Sequence, residues 1–87
     1  MIALHIEISR HNDAQAIAEL LLKEKLISDV SLFANVPSLR LTKGNIANTT
    51  ETVLVATTEQ NLYLSIEKRL RDFCKGKPMP FIYTMPT

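Results

Sequence analysis

The 87-residue sequence has no tryptophan, two glycines and one cysteine. Its net charge is only +1, and no apolar run approaches the roughly 18 residues needed to span a membrane. Each shortage excludes something. Ten Lys and Arg against nine Asp and Glu provide no basic field of the kind that nucleic acid or an anionic membrane requires. Two glycines cannot furnish a glycine-rich phosphate loop, and no Ser-His-Asp order with supporting glycines occurs. The lone Cys74 cannot form an internal disulfide, so a reducing cytoplasm is the expected compartment. The opening MIALHIEISR lacks the basic-then-apolar layout of a signal peptide.

What remains is the composition of one small globular domain covering residues 1–87, 46% hydrophobic and 22% charged. A chain this short buries only about 60–65% of its unfolded surface, so self-association would help it.

IALHIEI alternates, with Ile2, Leu4, Ile6 and Ile8 on one face and Ala3, His5 and Glu7 on the other, which predicts a half-buried strand. Asn12 with Gln15 reads as a capping box for a helix running to about Lys25 on Ala14, Ile17, Ala18, Leu21 and Leu22. LLLKEKLISDVSL then passes from helix to strand without a glycine, with Asp29 at the join. The second strand spans Ser28 to Thr42, with Val30, Leu32 and Ala34 opposing Ser31, Phe33 and Asn35, and Pro37 predicts a bulge or an edge position. Lys43-Gly44-Asn45 is the turn, IANTT is polar hairpin material, and ETVLVATT is a β-branched strand. Thr57 with Gln60 reads as a second capping box. Leu62, Ile66, Leu70 and Phe73 share a helical face, Gly76 suits the helix exit, and Pro78 and Pro80 introduce the short strand FIYTM.

The order β-α-β-β-α-β fits an α+β, ferredoxin-like sandwich: a four-stranded antiparallel sheet with two helices on one face. The other face, carrying His5, Glu7 and part of the middle hairpin, requires a cover or water. An RNA-recognition module of this fold would need aromatics on its first and third strands, and IALHIEI and TVLVA have none.

From about Asp13 to Pro86 the chain resembles the CutA divalent-ion tolerance family, related in fold to the trimeric PII signalling proteins. AIAELLLKEKL resembles the family helix ending L-L-x-E-K-L, and DVSL stands where the family commonly reads C-V-N-L. VPSLRLTKGNI resembles the segment ending S-x-Y-x-W-x-G-K-I, with Ser38 and Gly44 in place. ETVLVATT resembles the third strand, and PFIYTMP resembles P-E-I-I-x-L-P. Several positions depart from the pattern. Asp29 replaces the cysteine, Leu41 or its neighbours and Thr42 replace the tyrosine and tryptophan, and Ala56 replaces the lysine before the paired threonines. Lys75 to Lys77 replace a histidine-proline-tyrosine run, Phe81 replaces an acid, and the family's C-terminal helix is expected to be missing after Thr87. The chain thus reads as a divergent, shortened relative.

The resemblance implies a non-enzymatic homotrimer for binding or signalling, linked to divalent-ion response or tolerance, with copper or another divalent cation as its ligand. His5, Glu7 and Cys74 are the candidate metal ligands, imidazole and thiolate being groups that copper favours. Three open sheet faces would turn inward, with Phe33, Leu39, Leu41, Leu54 and Tyr83 available to cover, and residues 36 to 50 would reach a neighbour. At roughly 25 cal/mol per Å2, hiding such apolar surface would offset much of the size handicap. The alternative is a structural or partner-docking trimer that binds an unidentified protein and has no ligand site. A third reading, an acylphosphatase-type hydrolase, has only Arg10 in the loop after the first strand and no glycine beside it. The basic cluster of Lys68, Arg69, Arg71, Lys75 and Lys77 reads as a solvated helix face. Neither nucleic acid nor a membrane is expected as a partner.

Overall fold

A computed structural model describes residues 1–86. The elements run β1 (Ile2–Ile8), α1 (His11–Lys23), β2 (Asp29–Thr42), β3 (Asn45–Thr58), a 3-10 turn (Gln60–Leu62), α2 (Tyr63–Phe73) and β4 (Phe81–Pro86). The four strands form one antiparallel sheet in the order β2-β3-β1-β4. That is the ferredoxin-like arrangement expected from the sequence.

The period-two pattern of β1 sends Leu4, Ile6 and Ile8 to the helical side, where they meet Ala14, Ile17, Leu21, Ile66, Leu70 and Cys74 in one core. From β3, Leu54 and Ala56 join the same layer. Leu54 is 1% exposed, so it lies under the helices and not on the open face, where alternation along the hairpin had placed it.

Neither capping box forms. The first helix starts at His11 with Arg10 as its extended N-cap and no side-chain cap. Arg10 instead pairs with Asp13, and the His11 Nδ1 meets the Thr52 hydroxyl at 3.1 Å. Thr57 and Thr58 belong to β3, and the second helix is entered through the 3-10 turn. Asp29 takes the Thr57 hydroxyl, and Asn12 lies inside a helix that already begins at His11.

The glycine-free exit of α1 has a specific geometry. Lys25 adopts φ 59°, its N–H bonds to the Leu22 carbonyl, and the Leu26 N–H bonds back to Leu21, both at 3.0 Å. This is a Schellman closure with lysine in the position usually held by glycine. The paired threonines then fasten the corner. Thr58 Oγ1 donates to the Leu26 carbonyl at 2.6 Å, while Thr57 donates to Asp29 Oδ1 from its hydroxyl at 2.9 Å and its N–H at 3.4 Å.

The hairpin turn has two residues in the left-handed region, Lys43 (φ 51°) and Gly44 (φ 81°), between the paired Thr42 and Asn45. This is the geometry whose twist matches a two-residue hairpin. The β-bulge sits at Ala34 and Asn35, before Pro37, which itself occupies a paired position on the edge strand. Two residues there face Thr52 alone, and Asn35 takes φ 59°, a conformation asparagine tolerates.

Candidate functional site

The bulge decides which residues reach the open face. Cross-strand partners share a face. Phe33 opposes Val53, but three residues later Val36 opposes Glu51, so the alternation is reversed beyond Asn35. Val36, Ser38 and Arg40 therefore lie on the open side with Glu51, Thr49 and Ala47. Leu39 and Leu41 fall on the reverse of the hairpin with Asn48 and Ile46, at 70% and 77% exposure. Simple alternation had grouped them with Phe33. The extra residue corrects that.

On the open face, β1 contributes His5 and Glu7 beside Tyr83 and Phe81 of β4. The His5 and Tyr83 rings stack with centroids 5.0 Å apart and planes inclined by 21°. The Glu7 carboxylate, first by hydrogen bonding and then with help from partial burial, raises the Tyr83 phenol above its ordinary pKa. Arg40 closes the cluster. Its guanidinium lies 3.7 Å from Glu7, 3.7 Å from Glu51 and 4.0 Å from the centre of the Phe81 ring. Around it, Phe33, Phe81, Tyr83 and Met85 remain 44–57% exposed, an aromatic-rich apolar surface only partly covered among the described residues.

Cys74 is elsewhere. It is buried among the helices on the far side of the sheet, where burial pushes its thiol pKa up, against the thiolate a metal needs. The fold thus brings His5 and Glu7 together but not Cys74. Glu7 is also already engaged by Arg40. Among the described residues, no group of three or more His, Cys, Asp and Glu side chains could hold an ion together. Within one subunit these three candidate ligands do not fit a shared cation.

The remaining candidates have structural partners. Arg10 is paired with Asp13, which Lys77 also approaches at 3.5 Å, so its guanidinium is not free for an acyl phosphate. The hydrogen bond from Arg10 is the main cause holding the Asp13 carboxyl below its ordinary pKa. In the basic cluster, Arg69 makes a forked pair with Glu24, at 2.6 Å from its Nη2, and Arg71 pairs with Glu67. Asp29 is a clamp on Thr57. Sequence reasoning missed Arg40 because its partners are contributed by β1, β3 and β4. Counted from Ser38, the family pattern's tyrosine falls on Arg40. No helix is long and apolar enough to cross a membrane among the described residues.

A model of the CutA1 divalent ion tolerance protein family matches residues 2–86. No curated protein matches in sequence. Among solved structures, the divalent cation tolerance protein (Cut A1) from Thermus thermophilus is similar at TM-score 0.87 and 21% identity, over 100% of this chain and 84% of that one. The CutA1 divalent ion tolerance protein from Ehrlichia chaffeensis is similar at 0.84 and 25%, over 99% and 79%. The protein described as the periplasmic divalent cation tolerance protein CutA from Archaeoglobus fulgidus is similar at 0.86 and 23%, over 100% and 84%.

Proposed function

The chain belongs to the CutA1 divalent ion tolerance protein family, and from that premise we propose that it is a non-enzymatic, cytoplasmic homotrimer whose role is binding or signalling in divalent metal ion response. The observation that carries this reading is the open sheet face. Phe33, Phe81, Tyr83 and Met85 leave a small domain with an apolar surface that copies of itself would cover. Burying it adds stability at about 25 cal/mol per Å2, which an isolated two-layer domain of this length needs. In such an assembly the open faces turn inward, and the His5 and Glu7 side chains of several copies approach one another. Copper or another divalent cation would then be held by ligands from more than one subunit, since one subunit supplies too few.

A second reading is a trimer that docks an unidentified protein and holds no ion. It is favoured by the separation of Cys74 from His5 and by the engagement of Glu7 with Arg40. Native mass spectrometry, without and with stoichiometric copper(II) and zinc, separates the two. A trimer gaining a fixed number of ions, with the gain lost in His5→Ala and retained in Cys74→Ser, supports ion response through the open face. A trimer gaining none leaves the docking role, and a monomer under both conditions refutes the assembly.

A further inference from the structure

Arg40 and its three partners describe a mechanical device in the fold. Arg40 pairs with Ala47, and Glu7 with Val53 six residues further along β3, so in a flat sheet Arg40 would stand about 20 Å along the strands from Glu7, beyond the reach of the two side chains. Yet the Arg40 guanidinium of β2 lies 4.0 Å from the Phe81 ring centre on β4 and 3.7 Å from Glu7 on β1. The far half of the β2–β3 hairpin must therefore curl over the open face. The curl begins at Ala34 and Asn35, where the bulge bends the strand and increases its twist. Beyond that point the hairpin is an arm. Its reverse carries Leu39, Leu41 and Ile46, all at least 70% exposed, so on that side the tip is not packed against the described residues of the body.

We propose that Arg40 is a latch: by clasping Glu7 and stacking on Phe81, with Glu51 at the base of the arm steadying its guanidinium, it holds the β2–β3 arm curled over the open face, with the Ala34–Asn35 bulge as the pivot. The chemistry suits this role. Glu51 pairs with Val36 at the base of the arm, is 7% exposed and accepts from Thr49 Oγ1 at 3.2 Å, so it steadies the guanidinium from within the arm. Glu7 sits on the central strand β1, paired on both sides. A planar guanidinium meets two carboxylates at its edge and an aromatic ring at its face, which a lysine ammonium cannot do in one geometry. Without the latch the arm loses the charged tie that joins it to β1 and β4 and moves about the bulge. The latch is made within one subunit, on the face that the proposed trimer would cover.

The test is the distance between two spin labels, one on Thr42→Cys at the arm tip and one on Lys68→Cys on the outer face of α2, in a Cys74→Ala background. Labelled chain is diluted into excess unlabelled chain, so only pairs within one subunit are read. With Arg40 intact a single narrow distribution is expected. In Arg40→Met the distribution should broaden and its mean shift by about one strand spacing, ~5 Å. The Glu7→Gln, Glu51→Gln double variant should reproduce this shift with the arginine present, and Arg40→Lys should restore it only in part. Circular dichroism on the same samples establishes that the variants are folded. An unchanged distribution in folded Arg40→Met, or in the double variant if Arg40→Met does not fold, overturns the latch. Subunit number, read by native mass spectrometry on the same samples, separates loss of the latch from loss of assembly.

Discussion

Replacing Lys25 by glycine should stabilise the protein, although it deletes a lysine from the surface. Lys25 closes α1 at φ 59°. An L-residue pays about 1–2 kcal/mol for the left-handed region, which glycine does not. Glycine gives back about 0.5–1 kcal/mol through its larger unfolded-state entropy. Removing a cation from the negative end of the helix costs about 0.3 kcal/mol more. The balance favours glycine by about 0.5 kcal/mol, which for a domain of this size raises Tm by about 2–4 °C. Lys25→Ala is the control. It keeps the backbone penalty and loses the charge, so its Tm should fall slightly below that of the parent. Thermal melts followed by circular dichroism, at one fixed subunit concentration because assembly makes Tm concentration-dependent, measure both. If alanine raises Tm as much as glycine, or glycine lowers it, the corner is not held by the Schellman geometry described above.

Other outcomes follow from the core and the charged groups. Leu70→Ala, at a fully buried position between helix and sheet, should cost about 2–5 kcal/mol in denaturant unfolding. The Asp13 carboxyl titrates below its ordinary range when folded, chiefly because Arg10 hydrogen-bonds to it, so its stabilising contribution is present above the unfolded carboxylate pKa. That contribution is lost as pH falls through the lower folded value, and Asp13→Asn should therefore weaken the acid-side decline of stability in pH titrations. Burial raises the Cys74 thiol, so at neutral pH a disulfide reagent should react with it far more slowly than with a free thiol and reach the free-thiol rate on unfolding.

The elements themselves were legible because hydrophobic period is a local signal. Ile2 to Ile8 could only alternate as a strand, and Ile66 to Leu70 only as a helix face, and Leu4, Ile6, Ile8, Ile66 and Leu70 are buried as their spacing implies. The caps were misread for the same reason of locality. Thr57 and Asn12 have the spacing of cap residues, but Asp29 claims Thr57, and the chain is already helical at His11 before Asn12. The open face was legible for His5, Glu7 and Tyr83, whose strands are regular. It was illegible beyond Asn35, because a single extra residue reverses every later side chain, and Pro37 signals a bulge or an edge without fixing the residue at which the extra one sits. Arg40 could not be assigned to a site without that reversal.

The central claim is that copies of the chain cover one another's open sheet faces. Sedimentation velocity of the parent and of Phe33→Asp tests it most directly, because Phe33 lies on that face at 52% exposure and outside the core, so a charge there should spare the fold. The account predicts a trimer for the parent and folded monomers for the variant. A parent that sediments as a monomer, or a Phe33→Asp trimer as tight as the parent, would contradict it.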